Sequence, residues 1–193
     1  MDDMSITPWE KIGKPETLAE GYGKRLDKQK FKDHTGKETN FYFNEQPPWS
    51  AVLPITEDGK VLVIRQYKQG SNRIMDETPG GQGDFKAESP EEVIKRELRE
   101  ETGYEPQKVI FLGDGFINSR NSTTKFYSFL ATGCKKVGEP KLDQSEQMEL
   151  LEMPLDEWIA YMLKGESDQW DACLTLLRAL PHLGLEVKVS PHT

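Results

Sequence analysis

The pattern of apolar and polar positions changes character several times along these 193 residues. Before Glu45 the chain is polar, with short strand-like stretches around Lys24–Asp33 and Thr39–Asn44. The DHTGKE segment between them predicts a turn, because Gly36 is free to take positive φ. EQPPW (45–49) then interrupts the pattern and marks a boundary. Beyond it, two apolar runs, AVLPI and VLVIRQY, flank TEDGK, and an Asp-Gly turn between apolar runs predicts a β-hairpin. ETPGGQGDF (77–85) predicts a glycine-rich loop leading into a helix whose ends are both marked. Ser89 suits the N-cap, Pro90 the first turn, and Glu92 completes a capping box, while Gly103 can supply a left-handed C-cap. Strands are expected near Lys108–Leu112 and Lys125–Thr132. Residues 154–180 carry helical spacing in two pieces, one with Trp158, Ile159, Met162 and Leu163, the other with Leu174, Leu176, Leu177 and Leu180. There is no internal repeat and no low-complexity tract. The expected class is α+β, a central mixed sheet with helices packed on it.

Within the marked helix, residues 96–103 read RELREETG. At ~100° per residue, Glu97, Glu100 and Glu101 share one arc beside the apolar positions Ile94 and Leu98. Carboxylates four residues apart repel, more strongly next to buried surface, and a hard divalent cation relieves that repulsion. An acidic solvated face with Arg96 and Arg99 as counter-charges meets the same spacing. The triplet alone leaves both readings open.

Composition narrows the partners. The length suits one domain with at most a small appended segment. The balance of 25 basic against 33 acidic residues gives a net charge of −8, so no basic surplus is on hand for a nucleic-acid backbone. A small phosphorylated ligand stays compatible, since a divalent cation reverses the local charge. Cys134 and Cys173 lack metal-ligand spacing and read as free thiols of a reducing compartment. The opening MDDMSITPWEK has no apolar core, so no signal peptide is expected. The aliphatic run VLVI (61–64) is far too short to cross a bilayer. The expectation is a cytoplasmic protein with no membrane partner.

The longer string GGQGDFKAESPEEVIKRELREETGY, residues 80–104, resembles the Nudix hydrolase box, G-x5-E-x7-R-E-U-x-E-E-x-G-U with U aliphatic. Glu88, Arg96, Glu97, Leu98, Glu100, Glu101 and Gly103 fall on it. Six residues instead of five separate Gly81 from Glu88, and Tyr104 stands where an aliphatic residue is usual. VLVIRQYKQG followed by DETPGG is similar to the Q-Y/F-R … E-L-P-A-G run of the ADP-ribose and nucleoside diphosphate sugar pyrophosphatase branch. Weaker likeness covers residues 20–160.

The resemblance implies a Nudix-like α/β/α sandwich around a mixed β-sheet, residues 47–193, preceded by a strand-rich homodimerisation segment, residues 1–46. It implies Mg²⁺-dependent hydrolysis, with Mn²⁺ as substitute, of the pyrophosphate bond of a nucleoside diphosphate sugar such as ADP-ribose or GDP-mannose. The products would be a nucleoside monophosphate and a sugar phosphate. Glu97 and Glu101, then Glu100, would hold the metal beside the close-approaching Gly81, and Glu88 would brace the loop through Arg96. Glu146, in LDQSEQMELLEMPLDEW, would be the general base, with Glu149 as the alternative and Glu100 as a third position. Trp49 and Tyr42 are candidates for stacking on a nucleobase, as are Phe116 and Tyr127. Arg65 and Lys68 are candidates for the diphosphate. ADP-ribose pyrophosphatases usually place a proline where this chain has Ser119, which opens the choice to other nucleotide sugars. The competing class is a non-catalytic Nudix-like sensor. Such proteins commonly lose box acids, and this chain keeps Glu97, Glu100 and Glu101.

Overall fold

The computed structural model describes residues 6–84, 87–144, 146–167 and 169–186. The first five residues, Phe85 at the end of the expected glycine-rich loop, and Ser145 beside the expected base lie outside these ranges. The chain divides into two compact units: one runs up to Pro47 and includes Phe116–Lys125, the other holds Pro48–Gly115 and the chain from Phe126 onward. The expected boundary after residue 46 had left 116–125 in the second segment. Hydrogen bonds explain the difference: Asn44 donates its N–H to the Asn121 carbonyl at 2.8 Å, and Thr123 bonds Glu45.

The first unit is a three-stranded antiparallel sheet of β1 (Glu10–Gly21), β2 (Lys24–Lys32) and β3 (Glu38–Glu45), in that order. Alternation puts Asp27, Gln29 and Phe31 on one face, opposite Phe43, Phe41 and Thr39. Phe31 meets Phe41 at 5.6 Å and Phe43 at 5.9 Å between ring centroids. The buried Asp27 carboxylate is satisfied by Arg25 at 2.8 Å and by Thr17. β1 is exposed along nearly its whole length, so it carries no apolar alternation from which it could be read.

The second unit contains β4 (Trp49–Thr56), β5 (Lys60–Lys68), β6 (Arg73–Glu77), β7 (Gly80–Gln82), α1 (Pro90–Thr102), β8 (Tyr104–Glu105), β9 (Lys108–Phe116), β10 (Lys125–Lys136), β11 (Met148–Pro154), α2 (Leu155–Leu163) and α3 (Trp170–Ala179), with a 3₁₀ turn at Leu180–Leu183. The main path of its sheet is β11-β5-β4-β10-β8; β6 pairs with β5, β7 with β4 and β9 with β10. β4 and β10 run parallel, while β4–β5, β5–β11 and β5–β6 are antiparallel. The sheet is mixed, as expected.

Both faces of this sheet are covered, and the strand period shows how. Val52, Leu62, Phe129 and Ala131 point to one side and pack with Ile94 and Leu98 of α1 and with Tyr104. Their neighbours Leu53, Val61, Val63 and Leu130 point to the other and pack with Trp158, Met162, Ala172 and Leu176 of α2 and α3. A strand buried on both faces reads as an unbroken apolar run, as AVLPI does. The result is an α/β/α sandwich.

The ends of α1 follow the sequence. The Ser89 side chain accepts from the Glu92 N–H, and the Glu92 carboxylate accepts the Ser89 N–H at 2.7 Å. At the other end Gly103 has φ 76° and donates to Arg99 O. A side chain there would be strained by that φ and would also overlap the Gly138 carbonyl oxygen. We expect Gly103→Ala to cost more than about 1 kcal/mol in urea unfolding. No loss would mean that the 137–139 segment yields and that the close approach is incidental.

Candidate active site

Three neighbouring acids of α1 meet three different fates. Glu101 lies on the buried face with Val93, Ile94 and Leu98 and is only 8% exposed. Glu97 sits at the border, its side chain 16% exposed, and Glu100 is 46% exposed. Arg96 organises the outer two: it bonds Glu97 at 2.8 Å, Glu100 at 3.0 Å and Glu88 at 3.1 Å. Those partners hold the guanidinium above its usual pKa, the Glu88 hydrogen bond most of all.

Glu101 has no such cation among these bonds. Its carboxylate accepts the Gly80 N–H at 3.1 Å. Burial first, then the charge of Glu97, pushes its carboxyl up to about 9 against the Gly80 bond, with Glu77 and Glu146 adding in the same direction. Glu97 is also raised, mainly by burial, with Arg96 opposing. Gly81 lies so near Glu97 that a Cβ on it would overlap the carboxylate. The short β6–β7 turn thus lays its backbone directly against both acids.

These residues fit a divalent cation. A deeply buried carboxylate with a like-charged neighbour and one N–H partner lacks positive charge, and the cradle at Gly81 would be filled by any side chain. The donors are hard oxygens, which suit Mg²⁺ or Mn²⁺. Among the described residues no three His, Cys, Asp or Glu side chains converge closely enough to hold an ion by themselves. Backbone carbonyls, waters or ligand oxygens must complete the coordination, which is the habit of Mg²⁺.

A groove of about 600 Å³ at the ends of β5 and β11 is lined by Arg65, Lys68, Glu146 and Glu149, among others. Its two acids differ. Glu146 is near enough to raise the pKa of both Glu97 and Glu101, and its carboxylate accepts the Asp143 N–H at 2.9 Å. Glu149 instead lies 3.8 Å from Arg65. Arg65 is in turn engaged by Asp76, through Nε at 2.7 Å and Nη2 at 2.9 Å. Strand alternation puts this Arg65 group on one face and Gln66, Lys68 and Glu77 on the other. Arg65 and Glu149 therefore answer each other's charge on their own face, at the edge of the groove that Glu146 and Lys68 also line.

Trp49 begins β4 opposite Gln82, half-buried against Phe126 at 5.3 Å between ring centroids, so its ring is engaged in packing. Tyr42, on β3 of the first unit, is 52% exposed. Two features escaped the sequence. The Tyr104 hydroxyl donates to Glu152 at 2.6 Å while its ring lies in the core, so the unusual box residue links helix end to sheet. The buried Glu77 carboxylate gathers Gln66, Lys68 and Gln169. Glu77 was within the quoted DETPGG string, but its partner Gln169 lies 92 positions away.

Residues 46–174 match the NUDIX domain family, two thirds of the chain with the acid-bearing helix inside the match. The chain belongs to the Nudix family. It is a hydrolase. It is 30% identical over 138 residues to the ADP-ribose pyrophosphatase of Bacillus subtilis, covering 71% of this chain and 73% of that one. It is 29% identical over 154 residues to the methanol dehydrogenase activator of Bacillus methanolicus, with coverage of 79% and 83%. A GDP-mannose pyrophosphatase of Yersinia enterocolitica is 29% identical over 133 residues, 65% of this chain and 69% of that one. The crystal structure of an ADP compounds hydrolase superposes with a TM-score of 0.81 at 18% identity, over 93% of this chain and 96% of that one, and shows the shared Nudix fold.

One titrating group of this Nudix hydrolase lies outside the box. Asp171, in the first turn of α3, is raised to about 6, by burial first and by Glu77, while Lys68 opposes. The unfolded chain ionises this group near 3.8 and the native protein near 6. Its contribution to stability is therefore full below the lower value and is lost as pH rises through the higher one. We expect Asp171→Asn to match the parent in thermal melts near pH 4 and to exceed it above pH 6. Parallel curves across that range would mean that Asp171 is not perturbed.

Proposed function

We propose that the protein hydrolyses the pyrophosphate bond of a nucleoside diphosphate sugar, ADP-ribose, GDP-mannose or a close analogue, with Mg²⁺ or Mn²⁺ as cofactor. The observation that carries this reading is the buried Glu101, with one backbone N–H as its partner, beside the half-buried Glu97, both laid against the Gly80–Gly81 backbone. The names of the relatives support the substrate class: two act on nucleotide sugars.

Glu97 and Glu101 would hold the cation, with Glu100 at the rim and a backbone carbonyl of the glycine turn in support. When bound there, the ion supplies Lewis acidity toward phosphoryl oxygens and a lower pKa for the attacking water. Glu146 takes the water's proton on its carboxylate as the water oxygen bonds to phosphorus. The bond from that phosphorus to the bridging oxygen breaks, and the leaving phosphate keeps the electron pair. Arg96 and Glu88 keep the loop and helix in register, and Lys68 faces the diphosphate. Glu149 is the second choice of base; its pairing with Arg65 favours Glu146.

Chelation should abolish turnover of a panel of nucleoside diphosphate sugars, and Glu97→Gln or Glu101→Gln should remove most activity while the fold persists. Glu146→Gln should lower kcat by about 10²–10⁴-fold with metal and substrate affinity nearly unchanged. Full kcat in Glu146→Gln and loss in Glu149→Gln would move the base to Glu149. Loss in neither would move it to Glu100.

The same reading includes a homodimer built through the first unit. β1 is a long exposed edge strand, an invitation to pairing, and Trp9, Leu18, Tyr22 and Tyr42 expose apolar surface there. A Tyr42 supplied by the second copy would then serve the nucleobase. Light scattering should give twice the chain mass, and an active monomer at assay concentration would overturn it. The free thiols of Cys134 and Cys173 suit the cytoplasm. No helix among the described residues is long and apolar enough to cross a membrane.

A further inference from the structure

Glu77 closes β6 and is 8% exposed. Its carboxylate takes donors from three side chains: Gln66 Nε2, Lys68 Nζ at 2.5 Å, and Gln169 Nε2 at 3.0 Å. Gln66 and Lys68 belong to β5, whereas Gln169 immediately precedes α3. Burying a carboxylate weakens a fold unless its partners offset the desolvation, and apolar side chains would join these elements as well. A charge held by three donors can do what an apolar contact cannot, which is to fix the place of another charge.

The glycine turn does not need it. Pro79 accepts the Val52 N–H at 3.0 Å and Gly80 donates to Glu101, so the turn has its own anchors. None of the three donors to Glu77 lies in that turn. What Glu77 does fix is Lys68. The lysine side chain is 33% exposed, and an ammonium has three protons, of which Glu77 takes one. Among the described residues no other acceptor takes the remaining two, which can meet an anion. Glu77 enters the turn whose Gly80 and Gly81 lie against Glu101 and Glu97, and Lys68 lines the groove that holds Glu146.

We propose that Glu77 is a positioning residue for Lys68, with Gln169 tying it to the start of α3, so that the ammonium meets the substrate's diphosphate from a fixed place. This rests on the reading of the substrate as a diphosphate ester. A lysine free to sample its rotamers must be immobilised when ligand binds; one already held loses less. Asp171 and Glu77 are the acids that face Lys68 from the neighbouring elements.

The test is a set of variants read by KM, kcat and melting temperature. Glu77→Gln should raise KM for the nucleoside diphosphate sugar about three- to tenfold with kcat nearly unchanged, and Gln169→Ala should do the same to a smaller degree. Lys68→Met alone strands the Glu77 charge, so the double variant Glu77→Gln with Lys68→Met provides a background without either charge. In that background Gln169→Ala should change nothing, because its effect passes through Lys68. An unchanged or lowered KM in Glu77→Gln, the result if Glu77 merely offset positive charge, overturns the proposal. So does a KM effect of Gln169→Ala that persists without Lys68. Calorimetric titration with inorganic pyrophosphate and Mg²⁺ should rank the same variants in the same order. If that ranking holds while no nucleotide sugar is turned over by the parent enzyme, the substrate reading fails and this one stands.

Discussion

A carboxylate taken out of water beside another carboxylate is the constraint to which the catalytic half of this protein answers. Glu101 is buried on the sheet-facing side of α1, and Glu97 stands one turn before it. In a poorly polarisable surrounding such a pair repels far more than it would in solvent. Arg96 relieves only one member, Glu97, and shares its charge with Glu88 and Glu100. Glu101 is left with one backbone N–H. The helix caps, the glycine turn and the arginine together hold this shortage of positive charge in one place.

The sheet supplies the place. β4 and β5 are bridged at Ile55 and Val61, next to their hairpin. Beyond it each strand takes another partner, β5 pairing with β6 from Ile64 onward and β4 with β7 at Trp49–Ala51. The turn that joins β6 to β7 therefore crosses the opening between β4 and β5. Glu77 enters that turn and Gly80–Gly81 leave it, so one crossing of the backbone serves both the lysine pair and the box acids. Gly80 admits no side chain for a related reason, since a Cβ would overlap the Ser50 carbonyl.

Much of this was legible in the sequence, where local chemistry decided the outcome. The hairpin, the caps of α1, the two helical pieces and the double-sided burial of AVLPI follow from turn residues and apolar period. Spacing put the box acids on one arc without ranking them, and only the family resemblance set Glu97 and Glu101 before Glu100. Glu100 and Glu101 are adjacent in sequence, and only the packing of α1 on β4 and β5 decides that one is 46% exposed by side chain and the other buried. β1 escaped because an exposed strand has no apolar period, and β6–β7 because five- and three-residue strands around Pro79 look like loop. Arg65 was a candidate for its charge near a strand end, and Glu149 because the resemblance places an acid there. Which face they occupy depends on the register of three strands, which no local pattern states.

The formal charges show how an acidic protein could accept an acidic substrate. Glu77, Glu88, Glu97, Glu100, Glu101, Glu146 and Asp171 are carboxylates joined by direct bonds or mutual electrostatic influence. Arg96 and Lys68 are the cations bonded to them among the described residues, so acids outnumber cations in the set. A diphosphate ester would be repelled by such a cleft. A divalent cation held by Glu97 and Glu101 would change the sign of the local problem and offer positive charge to phosphoryl oxygens. On the proposed reading, metal and substrate then bind as partners, each removing charge that opposes the other. Lys68 does not replace the metal, since Glu77 already takes up much of its charge; its value lies in direction. The cation would set how strongly the diphosphate is held, and the fixed ammonium how it is turned toward Glu146.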